Sequence, residues 1–302
     1  KVILVILIPL NIMKNTKNSM HQRLILAIML TILFTAACSQ IRIAYFFVDW
    51  YIVDRIDDYL DISDDQEKFL DDKVDLLHAW HRKEELPKIV TFLKSLKIKL
   101  AKGLSEEDIP WFQSEYKAIQ SRAIDKISDD FVVFLGTVTP QQIDHLAQAV
   151  KKKNEEHYEI NFKISEKLWR EKRIQRTLEN LEDFFGTLTK EQNKLITSSI
   201  EYKREDYLRQ FEQRQQVQKK IEAVLRSQES PEKIKNVFLS WILDPDEIKS
   251  DMYKKFSKQR TAKWVKFWLT VEDTITAKQR NVALEKIQDY IETIESMANG
   301  KS

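Results

Sequence analysis

From residue 41 onward the apolar residues fall mostly three and four apart, the repeat of helices that each bury one face. The pattern is clearest along Ile143, Leu146, Val150, Ile160, Ile164, Leu168, Leu178, Leu181 and Phe185. It returns along Leu195, Tyr207, Leu208, Phe211, Ile221, Val224 and Leu225. Helix starts are marked by Ser63-Asp64-Asp65-Gln66, Thr139-Pro140-Gln141-Gln142, Thr189-Lys190-Glu191-Gln192 and Thr276-Ala277-Lys278-Gln279. In each, a hydroxyl can accept from the third helical amide while the glutamine reaches back to the N-cap amide, the capping box. Ser230-Pro231 and Asp244-Pro245 read as two further starts, with proline where a missing N–H costs nothing. Helices are expected near 42–60, 64–84, 87–102, 108–135, 140–185, 190–228, 231–243, 245–269 and 277–298.

Two segments fifty residues apart are near copies, Phe134-Leu135-Gly136-Thr137-Val138-Thr139-Pro140-Gln141-Gln142 and Phe184-Phe185-Gly186-Thr187-Leu188-Thr189-Lys190-Glu191-Gln192. Each reads as a helix closed by glycine, a short link and a new capped helix, so neighbours should run antiparallel. The helix between the copies would span ~45 residues, or nearly 70 Å at 1.5 Å per residue. Its middle, Lys151 to Glu156, is almost wholly charged, so it either projects there without a partner or bends.

Only four glycines and six prolines occur in 302 residues, too few for a fold built on tight strand turns. The expected class is all-α, an elongated antiparallel helical bundle with a long helical hairpin. Formal net charge is +2, but residues 1–37 hold four of the bases and no acid, and the rest carries 45 bases against 47 acids. That balance gives no overall pull toward nucleic acid. Lys151-Lys152-Lys153 reads as a solvated face, and Arg170, Lys172, Arg173 and Arg176 as partners of Glu166, Glu171 and Glu179.

The N-terminus changes the picture. Met20-His21-Gln22-Arg23 precedes an apolar run from Leu24 to Phe34, then Thr35-Ala36-Ala37-Cys38. A short basic segment, about a dozen apolar residues and small residues at the cut describe a secretory signal peptide. The run is shorter than the ~20 residues of a spanning helix. Val2 to Leu10 lie before plausible starts at Met13 or Met20 and are expected to reflect start-site choice. Cys38 is the single cysteine, so no disulfide forms within the chain. Its setting resembles the bacterial lipobox, departing from it in Thr35 where leucine is commonest. That resemblance implies diacylglycerol on the Cys38 thiol, cleavage before Cys38, acylation of the new amino group, and a mature domain at 38–302. Ser39, where aspartate would imply inner-membrane retention, favours the outer membrane. The following stretch carries Tyr45, Phe46, Phe47, Trp50, Tyr51 and Tyr59, interrupted by Asp49, Asp54, Asp57 and Asp58. It is expected to be a buried first helix rather than one lying on the bilayer.

The densest chemistry lies in Leu76-Leu77-His78-Ala79-Trp80-His81-Arg82-Lys83-Glu84-Glu85-Leu86-Pro87. His78, His81 and Glu85 are three and four apart, a spacing that could ligate zinc. No third histidine or thiolate stands nearby, and Pro87 should force Leu86 out of the helix. The structural reading is that Trp80 packs, Arg82 or His81 pairs with Glu84 or Glu85, and the group pins a turn between two helices. No phosphate loop or nucleophile elbow appears, and His145 and His157 are isolated. Asp64/Asp65 and Asp129/Asp130 are carboxylate pairs of the kind glycosidases use, common in a chain with 47 acids. Trp241, Trp264 and Trp268 read as core.

Cys38, Tyr45, Trp50, Tyr59, Asp65-Gln66, Trp80-His81-Arg82 and Glu85-Leu86-Pro87 together resemble a family of uncharacterised Gram-negative lipoproteins with a domain of unknown function. The resemblance covers the mature chain and implies the cell envelope. The Thr-x-x-Gln starts are also similar to the motif of the periplasmic stress proteins Spy and CpxP. The expectation is a non-enzymatic protein held on the periplasmic side of the outer membrane by lipid on Cys38, with no other cofactor and no nucleic-acid partner. It would bind other envelope proteins as a scaffold or chaperone. The alternatives are a metal-dependent envelope hydrolase centred on His78, His81 and Glu85, and a structural spacer to the cell wall. Oligomeric state is left open.

Overall fold

The computed structural model describes residues 37–227 and 229–300, with side chains from residue 41 and without that of Leu243. The expected signal peptide, up to residue 36, and the side chain of Cys38 lie outside the described residues. Among these residues the fold is all-α, with no strand. The helices are α1 (Ala37–Phe46), α2 (Val48–Leu60), α3 (Asp64–Trp80), α4 (Leu86–Lys102), α5 (Asp108–Leu135), α6 (Pro140–Phe162), α7 (Glu166–Phe185), α8 (Lys190–Ser199), α9 (Arg204–Leu225), α10 (Pro231–Leu243), α11 (Asp251–Glu272) and α12 (Ala277–Ala298). A π-helical turn, His81–Glu85, joins α3 to α4.

All four capping boxes form, at Ser63/Gln66, Thr139/Gln142, Thr189/Gln192 and Thr276/Gln279. They also meet in pairs. The Gln66 amide donates to Gln142 Oε1 at 3.2 Å and the Gln142 amide returns to Gln66 Oε1 at 2.6 Å. Gln192 and Gln279 exchange the same bonds at 2.8 and 2.9 Å. The second amide proton of each goes to the carbonyl two residues before the partner's cap. Gln66 reaches Thr137, Gln142 reaches Asp61, Gln192 reaches Thr274 and Gln279 reaches Thr187. Each Oε1 also accepts from its own N-cap amide. Both protons and both lone pairs of every amide are used, which is what allows four glutamines to be buried. A glutamate would bring two acceptors and no donor. Two such clasps tie α3 to α6 and α8 to α12 at their N-termini.

Each clasp sits beside its own core. Val53, Leu70, Val74 and Phe134 form the first, from α2, α3 and α5. The second gathers Val90 and Leu100 of α4, Leu181 and Phe185 of α7, Ile196 of α8, Phe267 and Val271 of α11, and Ala283, Ile287 and Ile291 of α12. Burying Ile287 or Leu181, each almost without exposure, contributes about 2 kcal/mol. α3 faces the first core and α4 the second, so one helical path runs through both. The π turn between them holds an extra residue, which rotates the following helix by about 100° relative to an uninterrupted one. The apolar stripe thereby moves to a new face.

This path corrects the turn expected before Pro87. Leu86 keeps right-handed helical angles, φ −54° and ψ −42°, and its N–H bonds to the His81 carbonyl. Pro87 sits in the first turn of α4, where the widened π turn leaves its missing donor without cost.

The long hairpin exists, but each arm is broken once. The first arm breaks at 163–165, where Ser165 caps α7 by accepting from Leu168 at 3.3 Å. The second breaks at 200–203, where Ile200 is extended. The breaks face each other: the Arg204 guanidinium donates to the carbonyls of Asn161 and Ile164 at 3.0 and 2.7 Å. The Thr177 and Tyr202 hydroxyls meet at 2.7 Å. The charged stretch 151–156 neither bends nor lacks a partner, since Asn154 donates to Gln218 of α9 at 2.7 Å.

Other local expectations are corrected as well. Asp244-Pro245 opens a turn in which Asp246 N–H bonds Asp244 Oδ1 at 3.1 Å, and Ser250 is the true cap of α11. Gly186 has φ +78°, as a helix-ending glycine requires, whereas its counterpart Gly136 stays right-handed at φ −64°. Arg173 lies 3.9 Å over the Tyr207 ring and 4.8 Å over Trp169 instead of joining a ladder of ion pairs. Trp264 and Trp268 are exposed rather than core.

Candidate functional site

The π turn gathers the polar residues of the His78–Glu85 run, each onto a different partner. His78 Nδ1 lies 2.8 Å from Asp49 Oδ1, linking α3 to α2. His81 Nδ1 bonds the Tyr45 hydroxyl at 3.0 Å, linking the turn to α1. The Tyr45 ring stands edge-on to His78, with centroids 4.4 Å apart, and Arg82 lies 6.0 Å from its face. Trp80 donates its indole N–H to Glu84 at 3.1 Å. Glu85, 2% exposed, takes Arg122 of α5 at 2.8 and 3.0 Å and Lys88 at 2.7 Å. Neither Arg82 nor His81 pairs with Glu84 or Glu85, which corrects the expected ion pair. Leu86 is buried and Pro87 exposed.

Burial sets the direction in which Tyr45 and His81 shift. It pushes the Tyr45 phenol up to about 12, and it holds the His81 imidazole below its usual value against the pull of Glu85. Burial also works against the Glu85 carboxylate, but hydrogen bonds from Arg122 and Lys88, with their charges, outweigh it and keep the pKa below the usual range. The group braces α1, α2 and α5 against the central path. It does not bring His78, His81 and Glu85 together as a ligand set. Among the described residues no group of three or more His, Cys, Asp or Glu side chains is placed to hold a metal ion. The two carboxylate pairs are dispersed too: Asp129 meets Lys235, Asp130 meets Lys73, and Asp64 and Asp65 lie in the first turn of α3.

The other side of α1 and α2 is open. The two helices meet in an elbow at Phe47, and Ile43, Phe46, Phe47, Trp50 and Tyr51 are all exposed, Phe46 to 70% and Trp50 to 66%. The buried first helix expected from the aromatic content is therefore corrected. Val53, with Ile52 and Ile56, meets the core, while among the described residues these five side chains stay largely exposed. Cys38 lies in the first turn of α1, two turns before Phe46. No helix among the described residues is long and apolar enough to cross a membrane.

A second open feature lies between α6 and α9. Leu146, Ala147, Val150, Tyr158, Phe211 and Ile221 line a cavity of about 650 Å³, rimmed by Lys151, Glu155, Glu159, Lys219 and Glu222. Tyr158 stacks on Phe162 at 5.2 Å and is itself 44% exposed.

A family model described as "Family of unknown function (DUF6279)" matches residues 58–254. The chain belongs to this family. No curated protein and no solved structure matches it. The DUF6279 match takes in the π turn, the Glu85–Arg122 pair, the first glutamine clasp and the whole α6–α9 cavity. It begins at Asp58, so Cys38, Tyr45 and Trp50 fall outside it, as does Gln279 of the second clasp.

His78, His81 and Glu85 are legible in the sequence, as is Tyr45 among the aromatic residues, but their pairing with Tyr45, Asp49 and Arg122 is not. Asp49 stood out only as a break in an apolar pattern, and Arg122 carried no local signal. The α6–α9 cavity was likewise invisible, because its two walls lie some sixty residues apart.

Proposed function

We propose that this chain is a lipoprotein, acylated at Cys38 and held at the outer membrane facing the periplasm, which binds segments of other envelope proteins without catalysis. The observation that carries the binding part is the α6–α9 cavity, an open, apolar-floored groove with both acids and bases on its rim. Such a lining suits an amphipathic or unfolded polypeptide segment, whose apolar side chains enter the floor while its polar ones meet the rim. The Thr-x-x-Gln starts, similar to those of Spy and CpxP, support a chaperone-like version of this reading. The lone cysteine after Ala-Ala supports the anchor, since two or three acyl chains give effectively permanent attachment.

The test is stoichiometric suppression of aggregation of a chemically denatured client by the purified chain, read by light scattering without ATP. Suppression that weakens in Tyr158→Ser supports the reading. Absence of suppression by folded protein overturns the chaperone version, and absence of any envelope cross-link from position 158 in cells overturns partner binding at this groove.

A further inference from the structure

We propose that the α1–α2 elbow is a foot that rests in the interface of a zwitterionic bilayer and sets the orientation of the helical body. The inference goes beyond partner binding but rests on the reading of Cys38 as the acylated residue.

Five large apolar side chains within nine residues, Ile43, Phe46, Phe47, Trp50 and Tyr51, are exposed together. Phe46 and Phe47 stack edge-to-face at 5.2 Å, so they form one surface rather than scattered residues. An isolated exposed leucine needs no explanation, but a cluster of this kind on a folded chain marks a contact. Its position names the occupant. α1 is continuous from Ala37 to Phe46, and eight residues of helix place Phe46 about 12 Å along the axis from residue 38. A surface so close to an acyl anchor meets lipid before it meets anything else. Tryptophan, tyrosine and phenylalanine are the side chains that settle at headgroup depth, where a ring can be half immersed.

The charge around the elbow selects the lipid. Asp71 and Asp75, both exposed, line the same depression as Phe46, Phe47 and Trp50. Asp54 is exposed on the next turn of α2, so three exposed acids stand against one exposed base, Arg42 beside Ile43. Anionic headgroups would be repelled there, whereas zwitterionic ones present no net charge. This is the reverse of a basic membrane patch, and it gives the proposal a distinctive signature.

The elbow is also stiffly attached to the rest of the molecule. Tyr45 and Asp49 lie on its inner side, Tyr45 bonded to His81 and Asp49 2.8 Å from His78 Nδ1 of the central path. Immersing the outer side therefore fixes the tilt of α3 and α4, and through them both cores. The residues that looked like a metal site act here as the ankle of the foot.

The experiment uses the full chain purified from bacteria and reconstituted into phosphatidylcholine vesicles, with and without bromine near the headgroup end of the acyl chains. Tryptophan emission is compared between the natural chain and Trp50→Tyr, and the mass of residue 38 is measured in the same samples. The expected result is bromine quenching in the natural chain that is absent from Trp50→Tyr, and that shrinks as anionic lipid is added at low salt. Acylated Cys38 with no Trp50-dependent quenching overturns the foot and leaves the anchor standing. Quenching with an unmodified Cys38 overturns the anchor and supports the foot. A retained leader or a dimer that shields Trp50 from bromine overturns it in favour of another occupant, and quenching that grows with anionic lipid overturns the charge selection.

Discussion

The side-chain amides of Gln192 and Gln279, 87 residues apart, are hydrogen-bonded to each other in both directions inside the protein. Each is at once a helix cap and half of a tertiary joint, so removing one disturbs two helices. Gln192→Ala leaves the buried Gln279 amide and the Thr274 carbonyl short of partners and frees the Thr189 N–H. A loss of about 2 to 3 kcal/mol is expected from unsatisfied buried groups. Gln279→Ala should cost a similar amount, and the double variant should cost less than the sum by about 1 kcal/mol or more, because the second change removes a group already orphaned. Urea midpoints of the four proteins check this. Strict additivity would mean the amides do not act as a pair.

The capping boxes could be read from the sequence because all their partners lie within three residues, and every one of the four formed. Their pairing could not, because the bonds that join Gln66 to Gln142 span 76 residues. The helical class followed from scarce glycine and a three-four repeat, both local signals. The elbow was misread for a different reason. An aromatic-rich amphipathic run looks the same whether its apolar face meets a core or a bilayer, and only the packing of Val53 against Leu70 and Val74 shows which face is taken. The breaks at 163–165 and 200–203 were hidden because Ser165 and the extended Ile200 interrupt a periodicity that continues on either side. They are placed together by Arg204, whose targets lie 40 residues or more away.

Glu85 and Arg122 make the most buried charge pair at the π turn. Arg122→Ala removes one cation and leaves the carboxylate, 2% exposed, with only Lys88. A destabilisation of about 3 kcal/mol is expected, the usual cost of breaking a buried pair from one side. Glu85→Gln, which keeps the shape and can still accept, should cost less. Thermal denaturation of both variants distinguishes a charge requirement from simple packing.

Cys38 makes a chemical prediction independent of packing. Cells fed a labelled fatty acid should incorporate it into the natural chain, and Cys38→Ser should abolish incorporation while its leader stays attached. Labelling of the Cys38→Ser chain would remove the anchor from the proposed function.

The α6–α9 groove predicts a separation of binding from stability. Tyr158 is 44% exposed but stacks on Phe162, so Tyr158→Ser should lower stability modestly, by about 1 kcal/mol, and leave the chain folded. Ile221→Asp, on the half-buried floor, should weaken client retention more strongly. Both are read by client aggregation alongside denaturation, and a groove that tolerates both without loss of suppression is not where clients bind.

The burial of His81 sets a pH window for the ankle of the elbow. Burial lowers the His81 pKa in the folded protein, so the unfolded chain, with an ordinary value near 6.5, takes up the proton first as pH falls. The contribution of neutral His81 is thus fully present above about pH 6.5 and declines as the pH falls toward the folded value. Glu85 acts in a lower window: its folded pKa is depressed, so its contribution persists above about 4.3 and is lost only as the pH drops below that toward the folded value. Urea midpoints should therefore fall in two steps on acidification. His81→Gln should flatten the upper step and leave the lower one, whereas Glu85→Gln should do the reverse. Tyr45→Phe should lower stability at neutral pH while keeping the upper step, because burial rather than the phenol is the main cause of the lowered His81 value. If His81→Gln leaves the midpoint between pH 7 and pH 5 as steep as in the natural chain, the imidazole is solvated in the folded state and cannot be the joint that holds α1.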